Sequence, residues 1–211
     1  MRMSEFSKKW AEQPTAADKL REAFQPSEPL KQKLEWARRK LQAEIQKMDS
    51  ILARLKKKDE DIFKRSVAAM QEHKTQFATA LSNELAEVRK MSKLVSRAKL
   101  ALEQISLRLT TVEQLGDVVV MLAPAASIIR SIRSGLANVM PEAESELGEI
   151  NSILSNILAE AGQLGGFTLN FQAANEEAEK ILAEATAVAE QKMKEIFPEL
   201  RSSEDQEKTA Q

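Results

Sequence analysis

The sequence predicts an all-α protein built around a long helical hairpin. Only 4% of its 211 residues are aromatic, it contains no tyrosine, and glycine and proline occur six times each. Charged residues make up 30%, a composition typical of long helices and coiled coils. We expect helices 1 and 2 to form the hairpin. A broken linker helix, an acidic helix and a C-terminal helix that folds back should follow.

Composition also excludes several kinds of chemistry. There is no cysteine, which excludes disulfides and thiolate catalysis, and the only histidine is His73. The longest apolar run, residues 118–123, is far shorter than the roughly 18 to 20 residues of a membrane span. No apolar signal segment opens the chain. We therefore expect a cytoplasmic protein with no catalytic residues, no cofactor and no metal.

The net charge of −1 conceals two oppositely charged halves. Residues 1–115 carry 24 lysines and arginines against 16 acidic residues, whereas residues 116–211 carry 7 against 16. Such asymmetry suggests that the basic half meets an anionic partner, or that the acidic half folds back and masks it. The alternative is that both halves are solvated helix faces. We hypothesise masking, with Glu142, Glu144 and Glu146 as the acidic residues involved.

The first 28 residues resemble a membrane-contact arm. Met3, Phe6 and Trp10 would share one face of a short helix, beside Lys8 and Lys9. Large apolar side chains next to lysines are typical of an interfacial anchor. The same residues could instead pack on their own protein.

Helix 1 is predicted to begin near Pro29, with one apolar face, the seam, running from Leu30 to Leu55 in steps of three and four. We place its end at Lys56-Lys57-Lys58 and the hairpin tip before Asp59-Glu60-Asp61, because the charges reverse there. Helix 2 would occupy residues 60–115. Its length would be roughly 80 Å against about 45 Å for helix 1, which would leave half of its seam uncovered.

The remaining helices are predicted from glycine and proline. Gly116 and Pro124 should weaken or break the linker, and Pro141 should open the acidic helix. Gly162 should cap that helix, with Gly162, Gly165 and Gly166 as a hinge. The last helix should cover residues 170–196, stopped by Pro198. This gives an arm (1–28), a helical core (29–161), a hinge with a regulatory helix (162–200) and a polar tail (201–211).

Other candidate functions find little support. His73 could be a switch or a ligand, but a place on the flank of helix 2 is favoured. The basic half could meet nucleic acid, yet stacking on bases needs aromatic side chains that here appear committed to apolar seams. No motif of an enzyme is present.

This organisation resembles the ESCRT-III family, in particular its archaeal cell-division (Cdv) branch. The resemblance covers roughly residues 4–200. It is carried by the helix order and by three stretches: Phe6-Ser7-Lys8-Lys9-Trp10, the segment from Lys19-Leu20-Arg21-Glu22-Ala23-Phe24 to Pro26-Ser27-Glu28-Pro29-Leu30, and Met140-Pro141-Glu142-Ala143-Glu144. Without the winged-helix element of the larger subunits, the chain looks like a shorter paralogue.

The resemblance implies a polymer-forming, membrane-remodelling protein of cell division. Such subunits assemble with copies or paralogues on the inner face of the cell membrane at the division site, and an AAA-type ATPase remodels them. Ile196, Phe197, Pro198 and Leu200 partially match the tail motif that recruits the ATPase. Membrane contact is expected from the N-terminal arm and from the basic clusters Arg38, Arg39, Lys40, Lys56, Lys57, Lys58, Lys64 and Arg65. The alternative is a cytoplasmic coiled-coil scaffold that never touches lipid.

Overall fold

A computed structural model describes residues 28–111, 115–137, 139–165 and 171–197. These residues form five helices: α1 (Glu28–Gln71), α2 (Thr75–Leu109), α3 (Leu115–Leu136), α4 (Pro141–Gly165) and α5 (Phe171–Ile196). The all-α fold class and the long hairpin of the first two described helices are confirmed. The predicted N-terminal arm, 1–28, lies outside the described residues apart from Glu28, and the polar tail lies wholly outside them.

The hairpin tip is not where the charge reversal placed it. α1 continues without a break through residues 56–61, and the chain turns only at Glu72, His73 and Lys74. His73 adopts a positive φ of 60°, so it lies in the turn and not on a helix flank. The backbone N–H of Lys74 donates to the carbonyl of Ala69, which closes the turn.

The seam of α1 continues through the predicted tip, and this is why the helix does not end there. Beyond Leu55, positions 59, 62, 66 and 69 keep the alternating steps of four and three. Two of these positions are polar, Asp59 and Ser66, and both are buried. Each has a partner on α2, since Arg89 donates to Asp59 and the Ser66 and Ser82 hydroxyls lie 3.3 Å apart. α1 and α2 therefore remain packed along the seam although two of its positions are polar.

The relative lengths of the hairpin helices are the reverse of the prediction. α1 has 44 residues and α2 has 35, or about 66 and 52 Å at 1.5 Å per residue. The N-terminal part of α1 therefore extends beyond α2, and α4 packs against it. α2 does not project half its seam beyond α1.

The linker is interrupted between α2 and α3, near the predicted Gly116, but Pro124 does not break it. Pro124 lies inside α3 and is buried. Likewise α4 does not end at Gly162, since the helix continues to Gly165. The predictions that α4 begins at Pro141 and that the last helix covers about 170–196 agree with the observed bounds.

The last three helices fold back on the hairpin. α4 runs antiparallel to α1, and α5 runs along α2 and α3. Together they enclose a continuous core that includes Leu41, Leu102, Ile129, Leu147 and Leu154, all fully buried. A smaller apolar cluster near the tip joins Ile62 to Leu85 and Val88. Among the described residues, no helix is long and apolar enough to cross a membrane.

Candidate functional site

The eight predicted membrane-contact residues on α1 divide into two groups. Four form ion pairs: Arg38 with Glu35, Lys40 with Glu149, Lys58 with Glu84, and Arg65 with Asp61. The other four, Arg39, Lys56, Lys57 and Lys64, are exposed and form no ion pair within the described residues. Lys40 also lies over the Trp36 ring, 5.2 Å from its centroid. Of the eight predicted residues, the second group is therefore the one available to an anionic partner.

Three of the unpaired residues share one face of α1. Arg39 and Lys57 are 18 residues apart, and Lys57 and Lys64 are seven apart, which corresponds to five turns and about two turns of a helix. They point away from the seam residues Leu41 and Met48, which are buried. We call Arg39, Lys57 and Lys64 the basic stripe; it extends about 37 Å along the helix.

Acidic residues of α4 and α5 cover other basic residues of the hairpin. On α1, the Lys33 ammonium lies 2.5 Å from Glu160, Lys40 lies 3.4 Å from Glu149, and Lys47 contacts Glu146. On α2, Lys93 lies 2.6 Å from Glu190, and Arg108 lies 2.7 Å from Glu177. The fold-back of the acidic half on the basic half, which the charge asymmetry suggested, is present in this structure.

The three glutamates singled out from the sequence do not all take part. Glu146 reaches Lys47 on α1, but Glu144 pairs with Arg133 of α3, inside the acidic half. Glu142 is exposed and forms no ion pair within the part of the chain that the structure describes. Glu149 and Glu160 make the other contacts to α1 instead. They are 11 residues apart, about three helical turns, and this placement on one face of α4 was the available signal.

Glu44 is a buried carboxylate at the contact between α1 and α4. Its side chain has no exposed surface, and neither carboxylate oxygen has a hydrogen-bond partner among the described residues. The Lys47 ammonium lies 3.5 Å away. Burial, with the neighbouring Glu146 carboxylate, raises the pKa of Glu44 above its ordinary value. The hydrogen bond from Lys47 lowers the pKa of Glu146.

A second buried charge joins α1, α2 and the end of α5. Arg89 donates to both oxygens of Asp59, at 2.7 and 3.3 Å, and Asp59 is only 2% exposed. The Arg89 guanidinium also lies 5.6 Å from the centroid of the Phe197 ring. The two hydrogen bonds from Arg89 offset the free-energy cost of removing the Asp59 carboxylate from water. The sequence places Asp59 at the start of helix 2, so it does not predict the ion pair with Arg89.

The predicted ATPase-recruitment residues are only partly described. Phe197 is 8% exposed, held over Arg89, while Ile196 is 44% exposed. Pro198 and Leu200 lie outside the described residues, as does Gly166 of the predicted hinge. Within the described ranges, no group of three side chains could hold a metal ion.

Two curated proteins of Sulfolobus acidocaldarius are similar to this chain. Cell division protein B1 is 39% identical over 173 residues, which cover 82% of this chain and 81% of that protein. Cell division protein B is 32% identical over 161 residues, 76% of this chain and 62% of that protein. No protein-family model matches the sequence, and no solved structure matches it.

Proposed function

Because the chain belongs to the archaeal cell-division branch of the ESCRT-III family, we propose that it assembles into filaments on anionic membrane during division. Copies of this chain or paralogous subunits form the polymer, which bends or constricts the membrane. The relatives' names support a role in cell division. The physical properties of the basic stripe support the contact with lipid.

The observation that carries the proposal is the exposed basic stripe. Its charges face solvent on the side of α1 opposite the seam, and none of the three residues forms an ion pair with a carboxylate of the described residues. Each basic residue near an anionic membrane surface contributes about 1 kcal/mol to binding. A single copy would bind weakly, but a polymer repeats the stripe and gains affinity by multivalency. Arg39, Lys57 and Lys64 are therefore the central contacts, with Lys8, Lys9 and the apolar residues of the N-terminal arm as additional anchors.

The structure describes a closed arrangement, and we infer that assembly requires it to open. The ion-paired lysines on α1 lose their carboxylate partners only when α4 leaves α1. Gly165 at the end of α4 and Gly166 after it would act as the hinge for α5. An AAA-type ATPase would then take hold of the segment after Ile196, once Phe197 has left Arg89.

Binding to anionic liposomes at low salt, followed by negative-stain electron microscopy, tests this function. We expect ordered coats, rings or tubules for the wild-type chain. The double variant Lys57→Glu/Lys64→Glu should need more than tenfold more lipid, because it removes and reverses two contacts of about 1 kcal/mol each. Lys180→Glu/Lys194→Glu, which makes the same charge change on α5, is the matched control.

The control should bind as the wild type does. Equal losses in both double variants would mean that only net charge matters and that the stripe has no special role. Bare liposomes with the wild type and with a variant lacking residues 162–211 would favour the protein scaffold over the membrane filament.

A further inference from the structure

A cleft between three helices is lined by lysines and, among the residues that the structure describes, by no carboxylate. It lies beside the C-terminal end of α5, which packs on α2, and is also lined by the middle of α1; its volume is about 270 Å³. One lysine enters from each helix: Lys56 from α1, Lys99 from α2 and Lys192 from α5. Like charges that converge from separate elements oppose their packing, so an anion between them would stabilise it.

The three lysines differ in how they are compensated. Lys99 lies 2.7 Å from Asp49 and 3.2 Å from Glu103. Although burial lowers the pKa of Lys99, these hydrogen bonds raise it, so the ammonium stays charged. Lys56 and Lys192 are exposed and form no ion pair within the described ranges. Two of the three charges are thus available to a ligand.

The lining of the cleft also contains two serines and several apolar side chains. Ser92 and Ser96 of α2 line it, and both are nearly inaccessible to solvent. The Ser92 hydroxyl donates to the carbonyl of Val88, whereas the Ser96 hydroxyl makes no hydrogen bond among the described residues. Leu52 and Met193 stand on either side. The lining therefore combines a free hydroxyl group with lysine side chains from three helices.

We propose that this cleft binds a phosphate-bearing molecule. Lysine acts as a point charge toward phosphate, and the unpaired ammonium groups of Lys56 and Lys192, which come from different helices, suit an anion with several oxygens better than a planar carboxylate. The volume exceeds that of a phosphate group, so an organic substituent can lie against Leu52 and Met193. The phosphate can belong to a soluble compound or to a lipid headgroup, which share this chemistry.

The ligand would hold the end of α5 on the hairpin. It contacts all three helices only in the closed arrangement, so it stabilises that arrangement by mass action. Lys56 also belongs to the surface assigned to membrane contact, and phosphate and membrane would compete for it. This competition rests on the proposed function, whereas binding in the cleft does not.

Calorimetric titration of the full chain without membranes, at constant ionic strength, tests the site. The probes are inorganic phosphate, inorganic pyrophosphate and dihexanoyl phosphatidic acid below its micelle concentration. We expect millimolar or tighter binding of at least one probe, and an unfolding midpoint that rises with its concentration. Lys56→Gln and Lys192→Gln should each weaken binding about tenfold through loss of a charge-assisted contact.

The matched controls are Arg54→Gln and Lys194→Gln, exposed neighbours on the same helices that do not line the cleft. They should change affinity less than twofold. Binding of pyrophosphate alone identifies a soluble phosphate compound, and binding of phosphatidic acid alone identifies a headgroup. Absence of binding to every probe, or equal losses in cleft and control variants, overturns the site, and neither result depends on whether the chain binds membranes.

Discussion

Glu44 places a carboxylate inside the contact between α1 and α4, where water does not reach it. Its raised pKa means that the folded protein holds this proton more tightly than the unfolded chain does. Ionised Glu44 therefore destabilises the fold at every pH above its folded pKa, and the penalty disappears as the pH falls through the ordinary glutamate range. Glu146 has a lowered pKa, so its stabilisation is instead lost on acidification.

Glu44→Gln should stabilise the protein at neutral pH. We expect the free energy of unfolding to rise by about 1 kcal/mol, because a buried charge with incomplete compensation is removed. The gain should shrink toward zero near pH 4, where the wild-type carboxyl is protonated in both states. Urea unfolding at several pH values measures this gain in the free energy of unfolding. The control is Glu60→Gln, at an exposed position of α1. A loss of stability at neutral pH would show that the Lys47 contact compensates Glu44 fully.

The hairpin turn is formed by ordinary residues in an unusual backbone conformation. Between α1 and α2 there is neither glycine nor proline, and His73 carries the positive φ. Lys74, the N-cap residue of α2, makes no side-chain capping hydrogen bond. A left-handed conformation costs a residue with a Cβ atom roughly 1–2 kcal/mol. The packing of the two long helices on either side holds the turn in place.

His73→Gly should relieve this strain. We expect the free energy of unfolding to increase by about 1 kcal/mol, since glycine adopts positive φ without a steric penalty. Gln71→Gly provides the contrast, because it places the same residue at the end of α1 and should cost about 1 kcal/mol. Thermal or urea unfolding distinguishes the two variants. If both are destabilised, the His73 side chain itself supports the turn.

Across the whole molecule, the acidic half lies on the basic half through a few specific ion pairs. α4 contributes Glu146, Glu149 and Glu160 to lysines of α1, at positions spread over about four turns. Exposed ion pairs contribute little singly, about 0–1 kcal/mol each, and salt weakens them further. The total stabilisation from three such pairs is therefore small enough for an arrangement that must open and close.

The triple variant Glu146→Gln/Glu149→Gln/Glu160→Gln should assemble on anionic liposomes more readily than the wild type. Removing the contacts of α4 with α1 favours opening and leaves Lys33, Lys40 and Lys47 without their carboxylate partners. We expect assembly at a severalfold lower protein concentration in a sedimentation assay. The control Glu142→Gln/Glu176→Gln/Glu179→Gln has the same net charge but neutralises exposed residues that make no contact with α1. Equal promotion by both variants would contradict specific masking.

Much of the architecture was predictable because it depends on local periodicity. The spacing of apolar residues identified the seams, and Pro141 and the alanine-rich segment after the glycines identified α4 and α5 with nearly correct bounds. The predicted position of the hairpin tip is wrong because three lysines followed by three acidic residues, at positions 56–61, are also the pattern of a helix C-terminus followed by a helix N-terminus. Pro124 predicts a break in the linker helix, but it lies inside α3 and is buried there.

The sequence by itself determined the helical class, the seams and the opposite charges of the two halves, because composition and period are properties of neighbouring residues. Only the tertiary structure decided where α1 ends and which charges are covered. Asp59 remains inside a helix because Arg89, 30 residues away, compensates its charge. Lys47 is covered because Glu146 reaches it from α4, whereas Lys57 is not. Such outcomes depend on which helices come together, and sequence spacing does not specify that.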